Sequence, residues 1–305
     1  MPRKIICRAL TGPTASGKTG LALKLAEEMG WEIICMDSMQ VYRRMDIGTA
    51  KPTPAEQEMV PHHLIDIREP YESFSVSDYV LEAEKKISEL AGRGKDFLMV
   101  GGTGLYLSAL MHPMGMGGVP ANETLREELN AIAAVPGGPA ELHRRLESLD
   151  PATAARLPVN DIRRTIRAIE VTEMTGIPFS MQPDRSTGSG YEWKTVSTAM
   201  DRHILYERIN RRVNEMIEAG LPDEVERLLQ EGVPENAQSM AAIGYKEMIP
   251  YIRGQYSLEE SADAIRTGSR HYAKRQMTFL RREPAVRYAD VMRPDAYEEV
   301  RRLLV

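Results

Sequence analysis

Cysteine is nearly absent from this chain of 305 residues, with two, Cys7 and Cys35. Both fall in apolar runs, so they read as reduced core thiols and not as a disulfide framework. No cysteine–histidine spacing suits zinc. Apolar runs long enough to cross a bilayer are also missing; a span needs about 20 such residues. Met1-Pro2-Arg3-Lys4 leads straight into the first apolar run, leaving no room for a secretory signal, and a cytoplasmic protein is expected. Internal repeats and low-complexity tails are lacking. So is an excess of positive charge: the net charge is −5, with 42% apolar and 27% charged residues. That composition suits a folded soluble chain and excludes a uniformly basic coat, while leaving a local basic surface open.

What is present begins at Gly12-Pro13-Thr14-Ala15-Ser16-Gly17-Lys18-Thr19. The spacing G-x-x-x-x-G-K-[ST] is that of a phosphate-binding loop. Glycines let backbone N–H groups turn inward, the following helix start adds positive potential, Lys18 neutralises phosphate charge, and the Thr19 hydroxyl can hold Mg²⁺. Chance would produce the bare pattern in about one chain of this length in a hundred. Here it also has the right context, an apolar strand Ile5–Leu10 before it and a helix from Lys18 after it.

The first third alternates strand and helix. Strands are expected at Ile5–Leu10, Glu32–Met36 and Phe97–Val100, with a helix over about Ser77–Arg93. That alternation predicts an α/β fold, a parallel sheet flanked by helices, with ligands at the carboxyl ends of the strands. The loop Gly12–Thr19, Asp37 and Thr103 all fall at such ends. Flexible joints are read at Pro113–Pro120 and Pro183–Gly190, bracketing helices at Asn122–Ala134, Pro139–Ser148 and Asp161–Thr175. An inserted all-helical subdomain is therefore expected over 113–197, between core segments 1–112 and 198–305. Within that frame Thr195–Met200 reads as a further strand. Helices follow at His203–Ala219, Pro222–Gln230, Tyr245–Ile252 and Ser257–Arg282.

Asp37, opening Asp37-Ser38-Met39-Gln40-Val41-Tyr42, is a candidate for orienting a nucleophile or holding metal. The strand Phe97–Val100 ends in Gly-Gly-Thr-Gly, without the acid that motor ATPases and GTPases use for Mg²⁺. Small-molecule kinases and group transferases remain. In the last long helix Leu258, Ile265, Tyr272 and Phe279 recur every seven residues and are expected to face the core. From Arg266 to Arg282 there are six Lys/Arg and no acid, a single-sign stripe that suits a polyanion. Arg163, Arg164 and Arg167 form a second basic cluster, and Arg202, Arg208, Arg211 and Arg212 a third. His62 and His63 lack further metal ligands at suitable spacing and read as structural or hydrogen-bonding residues. Met111, Met114 and Met116, with Met99, read as hinge and core packing.

Gly12–Thr19, Asp37–Tyr42, Met45-Asp-Ile-Gly-Thr-Ala-Lys-Pro52, Pro61–Asp66, Val100–Thr103, Pro158–Asp161 followed by Arg163, and Tyr272–Thr278 resemble the tRNA dimethylallyltransferases nearly end to end. Phe279 departs from the family's usual Trp, and the eukaryotic zinc finger is missing, which implies the bacterial type. The resemblance implies transfer of a five-carbon prenyl group from dimethylallyl diphosphate to N6 of the adenosine immediately 3′ to the anticodon. It implies that the loop holds the diphosphate with Mg²⁺ on Thr19, that Lys18 and Arg212 stabilise the leaving group, and that Asp37 accepts the proton. Implied tRNA contacts are Asp37, Ser38, Met39, Gln40, Thr103, Arg126, Arg163, Arg164, Thr165, Ile166, Arg167, Ala241, Ala242, Ile243, Gly244, Tyr245, Lys246, Lys274, Arg275, Gln276 and Arg281. A monomer acting on the anticodon stem-loop is expected. Two other activities share the loop and acid, a small-molecule kinase and an adenylate prenyltransferase. A non-catalytic RNA-binding protein would not need Lys18, Thr19 and Asp37 together.

Overall fold

The structure is a computed structural model that describes residues 4–112, 119, 122–182 and 190–305. The joints expected at 113–120 and 183–190 fall, apart from Val119 and Gly190, outside the described residues. The chain divides into two compact units, Met1–Met111 with Ser189–Val305, and His112–Gly188.

The first unit opens with β1 (Ile5–Thr11), α1 (Lys18–Met29), β2 (Glu32–Cys35), α2 (Pro54–Met59), β3 (His62–His63), α3 (Val76–Gly92), β4 (Phe97–Val100) and α4 (Gly104–Met111). Glu32–Cys35 is buried throughout, as is most of β1 and β4. Continuous apolar runs without alternation are what a parallel sheet covered on both faces requires. In α3, Tyr79, Ala83, Ile87 and Leu90 make one buried stripe, and a capping box joins Ser75 to Asp78 at its start. Each fully buried Leu or Ile in such stripes contributes about 1.5–3 kcal/mol.

The second unit holds α5 (Glu123–Ala134), α6 (Gly138–Leu149), α7 (Pro151–Ala154) and α8 (Ile162–Thr175). Its own core is Leu129, Leu142, Leu146, Ala154, Ile166, Ala168 and Ile169.

The first unit resumes with β5 (Tyr191–Ala199), α9 (Arg202–Glu218), α10 (Leu221–Gln230), α11 (Tyr245–Ile252), α12 (Leu258–Leu280), β6 (Val286–Asp290) and α13 (Ala296–Leu304). The sheet is wholly parallel, in the order β3-β2-β4-β1-β5-β6. Register runs Arg8 to Leu98 on one side of β1 and Ile5 to Tyr191 on the other. One apolar layer, carrying α3, α4, α10, α11 and part of α12, covers one face; α1 and α13 cover the other.

Among the strands, one start is misplaced in the sequence reading and two strands are missing from it. The returning strand starts at Tyr191 and not Thr195, so the expected division at 197/198 would cut through β5. Its first residues, Tyr191-Glu-Trp-Lys, mix charge with aromatics and hide their pairing to Ile5–Arg8. β3 and β6 are edge strands too short or too polar to register as apolar runs; in β6 only Val286 and Ala289 are buried. His63 Nε2 meets Glu32 Oε2 at 2.6 Å and His62 Nδ1 meets the Val60 carbonyl at 2.6 Å.

Candidate active site

The loop 12–19 leaves the carboxyl end of β1 and enters α1 through Gly17, whose φ of 89° lies in the left-handed region that glycine adopts without strain. Gly12 has a second constraint: a Cβ there would stand 2.0 Å from Thr198 Oγ1, so no side chain fits. Thr198, at the end of β5, shares a 2.6 Å hydrogen bond with the buried Ser16 hydroxyl. Gln276 of α12 ties the loop from the other side. Its amide oxygen accepts from Thr14 N at 2.9 Å and its amide nitrogen donates to the Gly102 carbonyl at 2.9 Å.

Lys18 donates to the Pro13 carbonyl at 2.8 Å. Burial, then the nearby Arg212 cation, lowers its pKa to about 8, while Asp37 pulls in the opposite direction. Burial lowers Arg212 as well, against the pull of Asp37 and Glu215. Asp37 therefore interacts electrostatically with both cations of the loop region. Its Oδ1 accepts from Met39 N at 2.9 Å, and no other hydrogen bond reaches the carboxylate among the described residues. Thr19 keeps its hydroxyl without a partner among the described residues. Lys18, Thr19, Arg208, Arg211, Arg212 and Glu215 line a hollow of 290 Å³ above the loop.

The second edge of the site is built from β4. Thr103 Oγ1 accepts from Ser38 N at 3.1 Å, and Thr103 N donates to the Met36 carbonyl at 3.3 Å. Tyr272 of α12 reaches the same spot: burial and the Asp37 charge push its hydroxyl up to about 12, opposed by hydrogen bonds with Thr103 and Gln276. Gly12–Thr19, Asp37, Ser38, Thr103 and Arg212 thus come together.

Several expected RNA contacts do not reach the surface. Thr165, Ile166, Ala242, Gly244, Tyr245 and Gln276 are buried. Thr165 and Ile166 face inward from α8, and Gln276 is spent on the loop. Tyr245 donates from its hydroxyl to Glu224 Oε1 at 2.6 Å, and its ring closes over Gly48. Gln40 is spent locally, donating to the Thr49 and Ala50 carbonyls at 3.1 and 3.2 Å and accepting from Cys35 Sγ. Arg126 and Arg167 clasp the buried Glu170, at 2.8 Å and 2.6 Å. Arg163, Arg164, Ala241, Lys246, Lys274, Arg275 and Arg281 are exposed.

On α12 the seven-residue reading fails at its last member. Ile265 is buried, but Phe279 is 37% exposed, because an α-helical stripe drifts relative to a strict heptad over several turns. The buried stripe instead passes through Ala262, Ile265, Ala273, Gln276 and Leu280. Arg266 also departs: it is ion-paired with Glu259 and Asp263, each at 2.6 Å. His271, Lys274, Arg275, Thr278, Phe279 and Arg282 line an open hollow of 430 Å³.

Sequence reading missed Glu224, Tyr272 as a site residue, Thr198 and Glu170. Glu224 is 2% exposed and accepts from the backbone N–H groups of Asp46, Ile47 and Gly48 at 2.9, 2.9 and 3.1 Å. The only hint was the glycine in Ile47-Gly48-Thr49, which marks a backbone approached closely by another group.

The profile of the IPP transferase family matches residues 40–283. The tRNA dimethylallyltransferase of Halalkalibacterium halodurans is 45% identical over 293 residues, covering 95% of this chain and 92% of the relative. That of Geobacter sulfurreducens is 45% identical over 284 residues, covering 92% and 90%. Among solved structures, the tRNA isopentenylpyrophosphate transferase of Bacillus halodurans matches with a TM-score of 0.72 at 42% identity, over 98% of this chain and 95% of the other. A eukaryotic dimethylallyltransferase acting on tRNA matches with a TM-score of 0.81 at 25% identity, over 98% and 78%. With a glycine-rich loop at the carboxyl end of β1, an acid that interacts with Lys18 and Arg212 and this likeness along nearly the whole chain, the protein belongs to the tRNA dimethylallyltransferase family of bacterial type.

Proposed function

We propose that the chain moves the prenyl group of dimethylallyl diphosphate to N6 of the adenosine immediately 3′ to the anticodon of tRNA, releasing diphosphate. The observation that carries this reading is the electrostatic proximity of Asp37 to both Lys18 and Arg212, with one carboxylate oxygen free of hydrogen bonds among the described residues. In the reaction N6 attacks the first prenyl carbon. The carbon–oxygen bond breaks, its electron pair leaves with diphosphate, and the N6 proton passes to Asp37. Lys18, Arg212 and the loop N–H groups stabilise the charge that develops on the leaving oxygen. No water is activated, so the strand-end acid of ATPases has no task here.

Thr19 fits Mg²⁺, because its hydroxyl is unpartnered among the described residues and lines the loop hollow. The ion, when bound, would neutralise the diphosphate. The target adenosine must leave its stack, at a cost of a few kcal/mol. Lys274 and Arg275 on α12 and Arg281 just past its end, together with Arg163 and Arg164 on α8, supply phosphate contacts that offset it. Ser38 and Thr103, hydrogen-bonded to each other, would bond the extruded base, and the cytoplasm is where this acceptor would be met.

The test is incubation with labelled dimethylallyl diphosphate and unmodified tRNA, with AMP as a competing acceptor and ATP as a competing donor. Label enters tRNA alone. Label in AMP alone would overturn the RNA acceptor. Asp37→Ala is expected to cut transfer by roughly 10²–10⁴-fold while tRNA affinity is kept; near-normal turnover would remove Asp37 as the base.

A further inference from the structure

Among the described residues Arg208 is a cation with no carboxylate paired to it. Arg208, Arg211, Arg212 and Glu215 fall at i, i+3, i+4 and i+7 of α9, one helical face, and all four line the 290 Å³ hollow. Arg211 is partnered with Glu215 at 3.6 Å, and Arg212 interacts with Asp37. Among the described residues the Arg208 guanidinium meets only Met292 Sδ at 3.6 Å, a weak acceptor. Its Nη1 lies 3.6 Å from the position a Cβ on Gly17 would take, directly over the N-terminus of α1. A half-buried guanidinium beside the start of α1, with no anionic partner among the described residues, is complementary to phosphate oxygens.

Charge points the same way. Lys18, Arg208, Arg211 and Arg212 stand against Glu215 alone in this hollow, an excess of three positive charges. An excess of positive charge there suits a polyphosphate anion.

We propose that Arg208 is a diphosphate-binding residue that grips the phosphate farther from the prenyl carbon. The assignment rests on the donor reading above and adds a residue and a role to it. Arg212 lies on the Asp37 side, where the carbon–oxygen bond breaks. Arg208 is one turn along α9, about 6 Å away, on the Met292 side. A group on the distant phosphate bonds donor and released diphosphate alike. It therefore strengthens ground-state and transition-state binding together, lowering KM for the donor and Ki for diphosphate with little effect on kcat.

The experiment measures inorganic diphosphate binding by calorimetry for the full chain and its Arg208→Ala and Arg208→Lys variants, alongside steady-state transfer and tRNA affinity. Arg208→Ala is expected to weaken diphosphate binding about tenfold or more and to raise donor KM in parallel. Its kcat stays within about threefold of the parent and tRNA affinity is unchanged. Arg208→Lys recovers part of the loss. Unchanged diphosphate affinity in Arg208→Ala overturns the assignment. So does weakened tRNA binding with diphosphate binding intact, which would move Arg208 to the RNA surface. Failure of the parent protein to bind diphosphate would sink the donor reading itself.

Discussion

Lys18 must be charged to hold diphosphate, yet burial beside Arg212 lowers it to about 8. Above that pH the free protein increasingly holds a neutral lysine, and a bound trianion has to draw the proton back. Affinity for a non-transferable prenyl diphosphate analogue should therefore be level up to about pH 8, then fall by up to about tenfold per pH unit. Calorimetry between about pH 7 and 9.5 reads this, and Lys18→Arg, with its charge fixed, should flatten the curve. A level profile in the parent protein would refute it. Glu224 makes a different single-residue case. Its buried carboxylate serves three backbone N–H groups and the Tyr245 hydroxyl. Glu224→Ala strands these donors and should lower the unfolding free energy by about 3 kcal/mol, read from denaturant curves. A loss under about 1 kcal/mol would mean that water replaces the carboxylate. The contrast between the two residues explains which parts of the site could be read from sequence. Lys18, Asp37 and Thr103 were legible because each follows an apolar strand, and strand ends converge in a parallel sheet. Glu224, Glu170 and Gln276 sit inside amphipathic helices, where a polar residue looks like surface until a partner some 20 to 260 positions away is brought to it.

At the scale of elements, α12 does two jobs along its length. Its first half is bound into the fold: Arg266 joins Glu259, Asp263 and Asn214, while Arg270 donates to Asn210 and Thr267. Its second half presents His271, Lys274, Arg275 and Arg282 around the partly exposed Phe279 ring. The two halves should respond differently to mutation. Lys274→Glu with Arg275→Glu should weaken tRNA binding and reduce the slope of log affinity against log salt by about 0.7–0.9 per lost phosphate contact. Arg266→Ala should cost stability, with the salt slope unchanged. Equal slopes for parent and double variant would mean that the second half does not touch the phosphate backbone. Periodicity located this helix to within two residues at each end, because a long amphipathic stripe with a Ser257–Glu260 capping box leaves little choice. The halves separate once the partners are seen: Arg266 meets Glu259 and Asp263 of its own helix and Asn214 of α9, and Arg270 meets Asn210 of α9. Edge strands β3 and β6 were illegible for the opposite reason: short exposed segments leave no periodic signal.

For the whole molecule, the division of labour follows from where each unit finds its core. His112–Gly188 has a separate apolar cluster around Leu129, Leu142, Leu146 and Ile169. The phosphate loop, Asp37, Thr103, Arg208 and Arg212 all belong to the other unit. So do all six strands that position them. Chain connectivity does not force the two to fold together, since an insertion with its own core can be removed where its ends are joined by a flexible linker. Replacing residues 112–188 by a short Gly/Ser linker should therefore leave a cooperative unit that binds inorganic diphosphate with an affinity within about threefold of the parent. The same variant loses Arg163 and Arg164, and its tRNA affinity should fall by about tenfold or more at physiological salt. Transfer to tRNA should fall at least as far. Calorimetry with diphosphate and filter binding with tRNA separate the two effects. Loss of diphosphate binding in a folded variant would show that the insertion helps to shape the loop. Full tRNA affinity would leave α12 as the sole RNA-binding element, and the basic residues of α8 would then need another explanation.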